Sequence, residues 1–141
     1  MLLLSFLGEQ PIPVLLPLWA SKKYDATCLV PTEKTEDLAQ TLCGFMKKDR
    51  DLSGLKVYPY FKISPYDLEK AEGTIRKQLT QIQNNYPGSI CINLTGGTKI
   101  MSLAGMLAAF ELGFPMIYIA TEKNMIIQMT PGKSFSESEP L

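Results

Sequence analysis

The sequence predicts an α/β fold: a three-layer domain with a mainly parallel sheet of about six strands and a C-terminal β-hairpin. Three observations carry this. Short, continuous apolar runs, the signature of strands covered on both faces, alternate with segments of helical spacing. The polar, Gly- and Thr-containing turns fall where strands hand over to helices. The chain has 141 residues, 45% of them hydrophobic, which is the size and composition of one domain with its own core.

Residues 2–7 are an apolar run and form the first strand, stopped by Gly8-Glu9-Gln10-Pro11. A helix follows over residues 13–22, since Pro13 is tolerated in a first turn, although Pro17 perturbs it. Residues 26–30 form the second strand. After Pro31-Thr32-Glu33-Lys34, Thr35 reads as an N-cap, with Glu36 and Asp37 at the positive helix end. Leu38, Leu42, Phe45 and Met46 carry helical spacing to Lys48. Residues 57–63 alternate and form the third strand, made irregular or an edge by Pro59.

Ser64-Pro65-Tyr66-Asp67 starts the third helix, whose stripe is Leu68, Ala71, Ile75, Leu79 and Ile82. Residues 90–94 are the fourth strand, followed by Thr95-Gly96-Gly97-Thr98. The fourth helix, residues 99–112, is apolar nearly all round, and Gly113 with Pro115 stops it. Residues 116–120 and 125–129 are strands of a hairpin closed by Thr121-Glu122-Lys123-Asn124. The domain thus covers residues 1–130. The Ser-, Glu- and Pro-rich residues 131–141 read as a loose tail or linker stump.

Composition excludes several chemistries. Fourteen basic residues balance fourteen acidic ones, which argues against a surface that coats long nucleic acid. There is no histidine, so imidazole catalysis, Ser-His-Asp and Cys-His schemes and His-ligated metals are absent. Cys28, Cys43 and Cys91 have no CxxC spacing and read as reduced thiols packed in a cytoplasmic protein, with no metal site. Residues 1–7 lack the basic region and cleavage site of a signal peptide. Residues 100–120 approach a membrane span in length, but Glu111 and Gly113-Phe114-Pro115 interrupt them. No cofactor is expected.

In open α/β sheets, ligands bind beyond the carboxyl ends of the strands. The turn Thr95-Gly96-Gly97-Thr98-Lys99 is the most informative there. Paired glycines allow close backbone approach, the helix start offers free N–H groups, and Lys99 adds a charge. This is phosphate-binding chemistry, yet the same residues also suit a plain turn with a capping Thr. Neither the Walker spacing nor a GxGxxG run is present. Placed at the sheet's edge, outside the core, the turn should admit a substituent at Gly97 at the expense of ligand rather than of fold.

Gly8-Glu9-Gln10-Pro11, Thr32-Glu33-Lys34-Thr35 and Asn93-Leu94-Thr95-Gly96-Gly97-Thr98-Lys99-Ile100-Met101-Ser102 resemble the CARF domain, the CRISPR-associated Rossmann fold. The similarity is to the DUF1887-type branch of type III CRISPR ancillary proteins. Ser64-Pro65-Tyr66-Asp67 and the strand end from Tyr118 to Glu122 are also similar, so the resemblance covers about residues 1–130.

The resemblance implies a Rossmann-like homodimer that binds a cyclic oligoadenylate, most often the four-adenylate ring, across its interface. It implies that Thr95, Gly96, Gly97, Thr98 and Lys99 hold phosphate and ribose. Gly8, Glu9, Gln10, Thr32, Glu33 and Lys34 would lie near the adenines or the rim, and Met101 would face the ring. It also implies an effector domain, fused or separate, because members of this branch usually continue into one. The surplus apolar face of the fourth helix fits the dimer contact.

Two functional readings stand at this point. One is a sensor with no activity of its own. The other is a metal-independent ring nuclease that positions a ribose 2′-hydroxyl for attack, with Lys99 as stabiliser and Ser5, Thr98 or Glu9 as orienting groups. A third, an unrelated α/β ligand-binding domain, would make the resemblance accidental.

Overall fold

The strand β1 (Leu2–Phe6) is buried at every position, because it lies at the centre of the sheet with helices on both faces. The computed structural model describes residues 1–132 and 137–140. Its seven-stranded sheet has the order β3-β2-β1-β4-β5-β6-β7, with β2 (Ala26–Val30) and β4 (Ile90–Asn93) flanking β1 in parallel register. The strand β5 (Met116–Ala120) continues the parallel set, and β6 (Met125–Met129) returns antiparallel.

Alternation along β1 divides the core. Leu2, Leu4 and Phe6 face α3 (Leu68–Asn85) and α4 (Lys99–Leu112). Leu3 and Leu7 face α1 (Ile12–Ala20) and α2 (Glu36–Lys48). The predicted three-layer architecture, parallel centre and closing hairpin are all present.

Three elements differ from expectation. The third strand is short: β3 (Lys56–Val57) alone makes a ladder with β2. Beyond it the chain still tracks β2 through single bonds from Tyr58 N–H to Thr27 O, 2.8 Å, and from Ile63 N–H to Pro31 O, 3.1 Å. Pro59 has no N–H to continue the ladder. The helix α1 ends two residues before its predicted end at residue 22. Finally, Glu137–Pro140 form a strand, β7, paired antiparallel with β6, so this part of the expected loose tail is a sheet edge. The remainder of that tail, residues 133–136 and 141, lies outside the described residues.

Pro17 has a consequence inside α1. It has no N–H, so the carbonyl of Pro13 lacks its helical donor. The amide of Asn93, at the end of β4, supplies one instead at 2.9 Å. Asn93 also donates to Ser5 Oγ at 3.2 Å, and its Oδ1 accepts from the N–H and hydroxyl of Thr95. A buried amide with every group bonded fixes where β4 ends and its turn begins.

Candidate functional site

The carboxyl ends of β1, β2 and β4 meet where the sheet order reverses, which is the place an open α/β sheet offers a ligand. A cavity of about 350 Å3 lies there. The end of β1 contributes Leu7, Gly8 and Glu9; the turn after β2 contributes Thr32, Lys34 and Thr35. The start of α4 contributes Gly97, Thr98 and Met101, and Pro65 with Tyr66 close the side next to α3.

Backbone contact holds the turns together. Gly97 has φ +81°, which only glycine adopts without strain. A Cβ on Gly96 would stand 2.2 Å from the carbonyl oxygen of Phe6, and one on Gly97 would meet the Met101 methyl at 2.7 Å. A Cβ on Gly8 would lie 3.0 Å from Gly97 N. The Gly-rich turn therefore packs into the top of β1, where a substituent disturbs the fold. This corrects the expectation that Gly97 lies clear of the core.

The threonines are engaged in structure. Thr98 Oγ1 accepts from Met101 N–H at 3.2 Å and donates to the carbonyl of Pro65. Met101 Sδ in turn accepts from Thr98 N–H, so the sulfur completes a capping box. Thr95 Oγ1 donates to Asn93 and accepts from Ile119 N–H at 2.8 Å, tying β4 to β5 outside the cavity. Thr35 makes no side-chain cap to α2. Its hydroxyl accepts from Thr32 N–H at 2.9 Å and donates to Leu7 O at 3.2 Å, joining the turn after β2 to the end of β1.

Seven of the expected ligand residues line the cavity: Gly8, Glu9, Thr32, Lys34, Gly97, Thr98 and Met101. Gln10 and Glu33 are exposed and do not line it. Thr95 and Gly96 do not line it: Thr95 bonds Ile119 N–H and Gly96 packs on the Phe6 carbonyl. Met101 lines the cavity but is fully buried, with its sulfur held by Thr98 N–H. Lys99 is exposed at the first position of α4 and makes no ion pair among the described residues. Ser5 is fully buried against Asn93 and does not line the cavity. Leu7, Thr35, Pro65 and Tyr66 line it without having been expected to. Of these, Thr35 and the Ser64–Asp67 motif carried a sequence signal, and Leu7 did not.

Across the cavity mouth, Lys34 Nζ lies 2.6 Å from Glu9 Oε1. The hydrogen bond and charge of Lys34 hold the Glu9 carboxyl below its ordinary range, and Glu9 holds Lys34 above its own, with a lesser contribution from Tyr66. Burial pushes the thiols of Cys28 and Cys91 up to about 12 and about 11, so both stay protonated packing groups. No group of residues suited to a metal ion occurs among the described residues. Nor is any helix there long and apolar enough to cross a membrane.

The family model of the Card1 CARF domain matches residues 2–139. The chain belongs to this family. Among solved structures, this CARF domain is similar to Can2 from Sulfobacillus thermosulfidooxidans in complex with cyclic tetra-adenylate. The TM-score is 0.79 at 21% identity, over 99% of this chain and 37% of that one. It is similar to protein VC1899 from Vibrio cholerae, with TM-score 0.79 at 11% identity over 96% and 35% of the two chains. It is also similar to Enterococcus italicus Csm6 bound to cyclic hexa-2′-fluoro-hexa-dAMP, with TM-score 0.68 at 18% identity over 85% and 33%. The CARF domain thus spans about a third of the length of each of these chains. No curated protein sequence matches it.

Proposed function

We propose that this CARF domain is a homodimeric sensor that binds a cyclic oligoadenylate, the tetra-adenylate ring, in the cytoplasm during type III CRISPR antiviral defence. It would pass the signal to an effector, fused or separate. The observation that carries the reading is the placement of Lys99. It has no ion-pair partner among the described residues and stands at the N-terminus of α4, next to Thr98 of the cavity lining, where the helix dipole already disfavours a cation. An anion at that place would relieve the conflict and meet the free N–H groups of the first turn. Family membership and the ligands of Can2 and Csm6 support the same class of ligand.

The dimer rests on α4. Leu103, Leu107 and Phe110 on its outer face are 47%, 51% and 54% exposed, which is more apolar surface than a helix of a monomer ordinarily leaves in water. A two-fold dimer presents two Gly-rich helix starts to a ring with two-fold symmetry.

Binding without cleavage is favoured over the ring-nuclease reading. Ser5 is enclosed in the core and the Thr98 hydroxyl donates to Pro65, so neither is free to orient a ribose hydroxyl. Incubating the protein with cyclic tetra-adenylate and separating the products tests this. The intact ring should be recovered, with the melting temperature raised in proportion to ring concentration by mass action. Linear products carrying a 2′,3′-cyclic phosphate would establish the nuclease instead, and no thermal shift would remove the sensor.

A further inference from the structure

Tyr66 is the most exposed large hydrophobic side chain described, at 77%, yet it lines the cavity. It makes no hydrogen bond or ring contact with the described residues, and the interaction the fold gives it is a minor electrostatic one with Lys34. An aromatic ring held in solvent at the wall of a cavity lined by both apolar and polar groups suits one kind of occupant, a flat π-system that stacks on it. The backbone around it is fixed at both ends. Thr98 Oγ1 donates to the carbonyl of Pro65, immediately before it. Immediately after it, Asp67 N–H donates to Ser64 Oγ at 3.2 Å, and Asp67 Oδ1 accepts from Lys70 N–H at 3.0 Å as the N-cap of α3. The ring is free while its backbone is clamped.

We infer that Tyr66 is a base-stacking residue of the cavity, and that Thr98 is its positioning residue, holding the Pro65–Tyr66 segment against the Gly-rich turn. This rests on the proposed cyclic-oligoadenylate ligand and deepens it. It moves Thr98 from a phosphate contact to a clamp, because a hydroxyl has one proton and that of Thr98 points to Pro65. The base would lie against the Tyr66 ring in the cavity that Leu7 and Pro65 also line, with the phosphates toward the start of α4, where Lys99 is exposed. Stacking tolerates any base, so Tyr66 supplies affinity for an unpaired nucleobase rather than selection among bases.

The test uses the whole chain and a cyclic tetra-adenylate with one adenine replaced by 2-aminopurine, whose fluorescence falls when it stacks. Wild type should bind the probe with quenching. Tyr66→Ala should weaken binding about 5- to 150-fold and lose the quenching at saturation, with an unchanged melting temperature because the side chain is exposed. Tyr66→Phe, which keeps the ring, should restore both. Thr98→Val should lose part of the quenching at saturating probe, and Thr98→Ser, which keeps the hydroxyl, should recover it. If wild type binds and Tyr66→Ala binds equally tightly with full quenching, Tyr66 has no stacking role, while the sensor reading stands. Should wild type bind no ring at all, the sensor reading fails and this inference falls with it.

Discussion

Lys34 and Glu9 form an ion pair of 2.6 Å that links the turn after β2 to the turn after β1 across the cavity mouth. Both side chains are largely in water, so salt screens the pair and it adds little to stability. On the proposed function, it occupies a cation that the ligand would otherwise meet.

The pair sets a pH dependence whose sign is determined. The folded pKa of Glu9 lies below its unfolded value. Its contribution is therefore present above the ordinary carboxylate range and disappears as pH falls through the folded pKa. The folded pKa of Lys34 lies above its unfolded value, so its contribution is present below the ordinary lysine range and is lost as pH rises through the folded pKa. Carbon-detected NMR should find Glu9 titrating below an ordinary glutamate, and Lys34→Ala should return it to normal. A Glu9 that titrates normally in wild type would mean the pair is not formed in solution. On the proposed function, Glu9→Gln frees Lys34 and should tighten ring binding.

Gly96 should be less replaceable than Gly97. Its Cβ would collide with a backbone oxygen at 2.2 Å, and backbone moves less readily than the end of a methionine. Gly96→Ala should cost about 3 kcal/mol by overpacking. Gly97→Ala should cost about 1–2 kcal/mol from its positive φ. Denaturant unfolding of both variants checks the order, and equal stability of Gly96→Ala and wild type would contradict the packing described.

Lys99→Ala should leave the fold untouched, because the side chain is exposed and makes no ion pair among the described residues. Loss of a charge-assisted phosphate contact should weaken ring binding about 10- to 150-fold. Calorimetry alongside a melting curve separates the two effects. Unchanged affinity would deny Lys99 the role assigned to it.

Much of this was legible in the sequence. The helix α4 and the two hairpin strands have their predicted limits, because Thr98, Gly113 and Asn124 are strong local signals: an N-cap and two residues with positive φ. The strand after β2 was less legible. Its alternation, residues 57–63, is real, but Pro59 removes the donor that a ladder needs. The site was legible in part for a similar reason. The sequence gives residue types at the right turns, but not which hydroxyls the fold already uses. Thr95 and Thr98 look available as sequence, and each is committed to a neighbouring backbone, while Thr35, which reads as an N-cap, bonds Leu7 O instead. Asn93 stood inside the motif that carried the resemblance, yet its role depends on the carbonyl of Pro13, eighty residues away, which Pro17 leaves open.

The α4 face gives a prediction about assembly. Leu107→Asp places a carboxylate among Leu103, Phe110 and their copies in a partner, so it should dissociate a dimer without touching the core. Light scattering should give twice the 15.7 kDa chain mass for wild type and the single mass for the variant. A monomeric wild type at micromolar concentration would contradict the assembly.

The most direct test is the stoichiometry of ring binding. Titrating the protein calorimetrically with cyclic tetra-adenylate, and separately with linear tetra-adenylate, asks whether two chains share one ring. The account predicts tight binding of the cyclic form at one ring per two chains and much weaker binding of the linear form. One ring per chain, or linear RNA bound as tightly as the ring, would contradict it.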